Sequence, residues 1–495
     1  MAMSAGSVGR SSSIERPGAL ASAVKTAIAP TAHLAPNGAD KAPDRENPPI
    51  SGKADKPDKP EKPEKPEKRA YPAAAALPTQ EAARGIRFDF NDGCRVMLPE
   101  GAWHVRLSDL DTGNILYETD IGAGRINSSK RYYLRCRVEV WATGESKTEP
   151  LFKHDYSAAD REILVQFPVG TLGDTLGWFP YAVKFQELHH CRLTCAMAAP
   201  IIPLFRGRYP HITFLTHEEV DPERYYATYS IGLFFDDDKC VHQPTDFRLV
   251  GLHRTAGYIL GVDPTEMPAG VALDDASRPI AEPYVCIAAQ SSSQAKYWNN
   301  PTGWREVVEF LKASGYRVIC IDQRPVHGTG LVWNHIPYGA EDQTGDRPLL
   351  ERARWLKHAE FFVGLSSGLS WLAWAMGTPV VLISGFTHPL NEFATPYRVI
   401  NYHACNSCWN DVRVRFDHKD FLWCPRHAGT AQHFECTRLI TAEAVRATIK
   451  RIPGFGAARA VGPEVVLPHA VPAQQAGAPH AVEIPRPKAT LTTAR

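Results

Sequence analysis

Between about residues 160 and 400 the chain repeatedly alternates short apolar runs with helical stretches, and this pattern limits its fold most. Ile163-Leu164-Val165-Gln166-Phe167 is an apolar run, followed by a glycine-rich turn and an amphipathic stretch from Leu176 to His189. Tyr284-Val285-Cys286-Ile287-Ala288 leads through a loop to a helical pattern over Gly303 to Ala313. Arg317-Val318-Ile319-Cys320-Ile321 is a third run. Phe361-Phe362-Val363 then enters a loop and a helix before Val380-Val381-Leu382-Ile383. Strand–helix repeats of this kind predict parallel sheets, which bind ligands beyond the carboxyl ends of their strands. The runs fall in two blocks, so the expected class is α/β, with two Rossmann-like lobes around a cleft.

The flanking segments differ. Residues 1–84 are rich in Ala, Pro, Ser and Lys and contain a charged-charged-proline repeat from Asp55 to Lys68. Such a repeat favours a semi-extended linker, and the segment is expected to be disordered. Its acids nearly balance its bases, which argues against a polybasic tether. Residues 85–150 alternate apolar and polar positions, as in Ile86, Phe88 and Phe90, with turn signals at Asn91-Asp92-Gly93 and Asp111-Thr112-Gly113. They are expected to form a small antiparallel β domain. The lobes are assigned to 151–275 and 276–400, a metal finger to 401–440, a helix to 441–455, and a disordered tail to 456–495. Net charge over the 495 residues is +1, so no nucleic-acid surface is expected. No stretch is long and apolar enough to span a bilayer, and the start is a poor signal peptide. The expected location is the bacterial cytoplasm.

Three loops carry the candidate chemistry. Val169-Gly170-Thr171-Leu172-Gly173-Asp174 lies between a strand and a helix, with Asp174 near the helix start. Asp174 reads either as an ordinary helix cap or as a general base. Ser291-Ser292-Ser293-Gln294-Ala295-Lys296 follows a strand, and its hydroxyls and lysine suit a phosphate. Gly364-Leu365-Ser366-Ser367-Gly368-Leu369 is a small-residue turn opening a helix, where backbone N–H groups and the helix dipole favour a diphosphate. Thr171 and Gly173 join these loops as candidate donor contacts, and Asp322, after a strand, as a candidate ribose ligand. Asn391 and Glu392 are also placed toward the donor.

The chain has eleven cysteines, seven of them scattered, which fits reduced thiols better than a disulfide framework. Cys405 and Cys408 form a C-x2-C knuckle, and Cys424 and Cys436 follow after 15 and 11 residues. Four such cysteines would make a closed, structural S4 site for zinc or iron. His403, His427 and His433 lie nearby as alternative ligands.

The order GDTLGWFPY, SSSQAKYW, GLSSGLSWLAWAMGTPVVLISG resembles the heptosyltransferases of the GT-B class. With the β segment and the CNSC…C…C cluster, it resembles the bacterial autotransporter heptosyltransferases over about residues 86 to 450. The resemblance implies ADP-heptose as donor and serine hydroxyls of an autotransporter adhesin passenger domain as acceptor, in a single inverting step. It implies Asp174 as base and Lys296 on the departing ADP. It places Ser291 and Ser292 beside the phosphates and Ser367, Gly368 and Leu369 around the diphosphate. It favours iron in the metal site and a large homo-oligomer. Lipopolysaccharide heptosyltransferases often carry an acidic residue where Ser366 stands, which weighs against a lipopolysaccharide acceptor. That acceptor and a non-catalytic, metal-stabilised assembly protein are the alternative readings.

Overall fold

The computed structural model describes residues 71–144, 149–170 and 172–456. The disorder expected for residues 1–70 and for the tail beyond 456 lies outside the described residues, as does Thr171.

Both expected lobes form. The second is a parallel six-stranded sheet in the order Glu341–Asp342, Arg317–Cys320, Tyr284–Ile287, Phe362–Leu365, Val380–Ile383, Arg398–Val399. Its four central strands are almost wholly buried, as continuous apolar runs require when helices cover both faces. The expected helix Gly303–Ala313 covers it together with Ala442–Ile449 from the C-terminal segment.

The first lobe departs from the expected domain boundary. Its sheet runs Thr213–Leu215, Arg192–Ala196, Glu162–Gln166, Ala227–Ser230, Arg87–Asn91, Arg95–Leu98, Gly124–Asn127. Three strands expected in a separate β domain therefore extend the α/β sheet. Arg87–Asn91 joins Ala227–Ser230 in parallel, and the next two strands add antiparallel. The remainder, Ile115–Ile121, Trp103–Asp109 and Cys136–Ala142, forms a four-stranded antiparallel sheet with Phe152–Asp155. Alternation shows that a strand exists but not which strand it meets. Asp89 and Asn91, on the polar face of that alternation, are buried. Asp89 receives both ends of the Arg95 guanidinium fork at 2.7 and 2.6 Å, and the Asn91 amide donates to the Tyr225 carbonyl at 2.7 Å. Removing one partner of such a buried pair costs about 3–5 kcal/mol.

Residues 71–84 also depart from expectation. They run along the first lobe as a strap. Arg95 donates to the Ala75 carbonyl (2.7 Å), Arg87 donates to the Pro78 carbonyl (2.9 Å), and Thr79 Oγ1 donates to the Tyr225 carbonyl (2.8 Å). Gln80–Glu81 then pairs with Arg87–Asn91.

The lobes meet through the helices Leu172–His189 and Gly368–Ala375. The first is buried nearly all round, from Thr175 to Val183 and at Phe185, because one side packs on its own sheet and the other on the second lobe. The Trp178 indole donates to the Leu252 carbonyl at 2.6 Å, and Leu252 in turn donates its N–H to the Asn391 carbonyl at 3.2 Å. No helix among the described residues is long and apolar enough to cross a membrane.

Candidate active site and metal finger

The N-terminal ends of the two lobe-joining helices abut at paired glycines. A Cβ on Gly173 would lie 2.9 Å from the Trp371 indole and 3.2 Å from Gly368 Cα. A Cβ on Gly368 would lie 2.9 Å from Leu172 Cβ and 3.1 Å from the Gly173 nitrogen. The positive ends of two helix dipoles therefore converge at the junction of the lobes. Overpacking of this kind typically costs about 1–3 kcal/mol. Gly368→Val should lower the thermal midpoint and abolish transfer together, read by calorimetry and by activity. A midpoint and turnover equal to wild type would show that the helix ends do not need this approach.

Asp174 sits in the first turn of its helix, partly exposed, at the carboxyl end of strand Glu162–Gln166. Across the junction, Lys296 ends the short turn Gln294–Lys296, whose cap is Ser293. Its ammonium reaches Ser292 Oγ at 3.5 Å and lies over the rings of Phe386 and Trp409, 5.4 and 5.7 Å from their centroids. Loss of water around it holds its pKa below the ordinary lysine value, while the carboxylates of Asp174 and Glu392 pull it back up. The two candidate catalytic groups are thus electrostatic neighbours, although 122 positions separate Asp174 from Lys296.

The Ser/Gly turn before helix Gly368–Ala375 has the features an anion needs. Ser367 precedes the helix Gly368–Ala375 without bonding to it by its side chain. Its Oγ is buried with no hydrogen-bond partner among the described residues. Beneath it, Ser366 Oγ joins Thr387 Oγ1 (2.7 Å) and Ser384 Oγ (3.3 Å), and Ser370 Oγ donates to the Leu365 carbonyl (2.5 Å). Ser366 is therefore a buried support of the turn. Leu369 packs against the core, and Ser291 is partly exposed in its loop.

Asp322, placed toward the donor ribose by its position after a strand, is engaged with the backbone of its neighbouring loop. It is buried, and its two oxygens accept the N–H groups of Ala289 (2.8 Å) and Gln290 (3.2 Å). Burial raises its pKa to about 6, against those two hydrogen bonds. Its work is to shape the loop that carries Ser291 and Lys296. Asn391 is likewise buried, its side-chain oxygen accepting from Trp409 Nε1 at 3.1 Å, and Glu392 pairs with Arg398 at 3.0 Å.

The cysteine finger packs directly beneath the loop that carries Ser291 and Lys296. Ser407 and Trp409 donate their N–H groups to the Gly385 and Phe386 carbonyls (2.8 and 3.1 Å), and Gln294 donates to the Phe421 carbonyl (2.9 Å). Phe247, Ala295, Phe386, Trp409, Phe416 and Trp423 form one buried cluster. The knuckle thus touches the strand end that shapes the lysine pocket.

Cys405, Cys408, Cys424 and Cys436 lie near enough to act on one another electrostatically. Burial first, and then the other three sulfurs, push the Cys408 thiol up, and the Cys436 thiol is pushed up to about 12 by burial, Cys424 and Cys405. Arg426 approaches the Cys405 sulfur at 3.5 Å. The tightest donor group is a different one: donor atoms of Cys405, His427 and Glu435 all lie within 4.8 Å of one another. His433 instead faces the Leu422 carbonyl at 3.2 Å, and His403 is exposed.

Sequence reading missed the ring pocket of Lys296, Tyr71 at the carboxyl ends of the first-lobe strands, and Glu435 beside Cys405. A lone tyrosine in an Ala/Pro-rich stretch carries no local signal. Glu435 is adjacent to a recognised cysteine, so its position was the available hint.

Two α/β lobes joined at paired helix starts, with a Ser/Gly turn at their junction, have the architecture of a glycosyltransferase of the GT-B type. Residues 82–144 match the N-terminal domain of glycosyltransferase TibC, and residues 260–415 match glycosyltransferase family 9 (heptosyltransferase). The chain is 58% identical over 376 residues to the autotransporter heptosyltransferase BAHTCr of Citrobacter rodentium, covering 76% of this chain and 91% of that protein. It is 56% identical over 375 residues to the autotransporter heptosyltransferase TibC of Escherichia coli O78:H11, again 76% and 91%. The chain belongs to the autotransporter heptosyltransferase family. A crystal structure of the dodecameric, iron-containing TibC in complex with ADP-D-beta-D-heptose superposes with a TM-score of 0.75 at 55% identity, over 77% of this chain and 99% of that one. Another relative, 51% identical over 387 residues and covering 78% of this chain and 90% of that protein, is the inactive autotransporter heptosyltransferase BimC of Burkholderia thailandensis.

Proposed function

We propose that this chain transfers heptose from ADP-heptose to a serine hydroxyl of an autotransporter passenger domain. The observation that carries the reading is the close approach of the two helix starts at Gly173 and Gly368, which sets Asp174 beside the Ser/Gly turn, with Lys296 within electrostatic reach of Asp174. An inactive relative at 51% identity means that family membership alone does not establish turnover, so this pair matters. Asp174 takes the hydroxyl proton as the oxygen bonds to the anomeric carbon. The bond from that carbon to the diphosphate breaks on the opposite face, so configuration inverts. The negative charge that develops on ADP meets Lys296, Ser367 and the N–H groups at the start of helix Gly368–Ala375. Incubating the purified protein with ADP-heptose and a passenger should add whole heptose units by intact mass. A passenger of unchanged mass would favour the non-catalytic assembly reading.

The finger's donor set fits a soft metal. Four neighbouring thiols in a half-buried pocket repel one another once deprotonated, and a cation removes that cost. Cys405, Cys408, Cys424 and Cys436 are the ligands we favour, with iron as in TibC. Glu435 already accepts the Cys405 N–H at 3.2 Å, which suits it to orienting the knuckle from outside. Cys424→Ser should lose the metal and most soluble protein, whereas Glu435→Gln should keep about one metal per chain by elemental analysis. Metal loss confined to Glu435→Gln would reverse the ligand assignment. The bacterial cytoplasm and a large homo-oligomer complete the reading, supported by the reduced thiols and by the dodecameric TibC.

A further inference from the structure

Tyr71 stands at the end of the strap, upstream of both family matches. Its hydroxyl donates to the Ile231 carbonyl at 2.8 Å, just beyond strand Ala227–Ser230. Its ring lies 6.4 Å from that of His217, which follows strand Thr213–Leu215 and bonds the Phe167 carbonyl at 2.8 Å. A Cβ on Gly232 would come 2.4 Å from the Tyr71 oxygen, so the phenol occupies space that a side chain at 232 would take. The ring therefore crosses the carboxyl ends of the first-lobe strands, the end from which Asp174 projects. Burial first, and the Asp174 carboxylate next, push the phenol well above its ordinary pKa, so it stays a hydrogen-bond donor. The strap behind it is tied to Arg95 and Arg87, and Arg95 is itself locked on buried Asp89.

We propose that Tyr71 is a specificity-determining residue of the acceptor side, walling Asp174 so that the carboxylate meets an acceptor hydroxyl and not water. The inference rests on the transferase reading above. Without the ring, water enters beside Asp174. The water oxygen then bonds to the anomeric carbon, Asp174 takes its proton, the bond to the diphosphate breaks, and free heptose and ADP leave. Tyr71 touches no reacting atom. It sets which nucleophile reaches Asp174.

The test measures released ADP and heptosylated passenger in parallel, with ADP affinity by calorimetry and the thermal midpoint. Tyr71→Ala should raise the KM for passenger about tenfold and raise the share of ADP released without transfer several-fold. ADP affinity should stay within about twofold of wild type. Tyr71→Phe keeps the ring and should partition as wild type does. Gly232→Ala pushes the phenol aside and should behave as Tyr71→Ala. A Tyr71→Ala enzyme with wild-type partition and passenger KM would overturn the inference. So would ADP affinity falling in proportion to transfer, since that marks a general distortion. If wild type itself leaves the passenger unmodified, the transferase reading fails first, which is a distinct result.

Discussion

Asp174→Asn should cut kcat by about 10²–10⁴-fold, the usual worth of a positioned general base. The change keeps the size of the side chain and loses only the preference of the helix's first turn for a negative charge, about 0.3–1 kcal/mol, so the fold should be retained. Removing a negative charge beside the diphosphate site should leave ADP-heptose binding equal or tighter. The same change removes one of the two carboxylates that support the Lys296 ammonium. Turnover by intact mass and donor affinity by calorimetry separate these effects. A variant within tenfold of wild type would exclude Asp174 as the base.

In the proposed mechanism Lys296 meets the charge that develops as ADP departs, so Lys296→Ala should lower kcat by about 10²–10³-fold. Lys296→Arg should not restore it. The pocket over Phe386 and Trp409 holds a compact ammonium, and a planar fork needs different partners. Desolvation keeps the lysine pKa below its ordinary value, so the ammonium is lost at a lower pH than on an exposed lysine. Wild-type kcat should therefore fall on the alkaline side before the ordinary lysine range, and the residual activity of Lys296→Ala should lack that limb. An alkaline limb unchanged in the alanine variant would assign it to another group.

The strands and the helix starts of the catalytic loops were legible because each depends on neighbours in sequence. The run ending at Phe167 and the turn to Gly173 had to place Asp174 at a helix start. The run to Leu365 with its Ser/Gly turn had to open another. What each side chain does there was less legible. Asp322 and Ser366 have the residue types of ligand contacts, yet both are buried under the loops they support. A strand-end acid that binds backbone N–H groups and one that binds a sugar look alike in sequence. The finger was read as a separate module, but Trp409 and Phe416 belong to the same buried cluster as Phe386 and Ala295.

The order of residues alone determined the α/β class, the three loops and the cysteine knuckle. Apolar periodicity, turn glycines and thiol spacing act over a few positions, so they survive without knowledge of the rest of the chain. Tertiary structure alone decided which strands share a sheet, that Gly173 meets Gly368, and that Tyr71 reaches the carboxyl ends of the first-lobe strands. Those contacts join segments far apart along the chain. Close packing selects them from many sterically allowed pairings, and no local pattern records the choice.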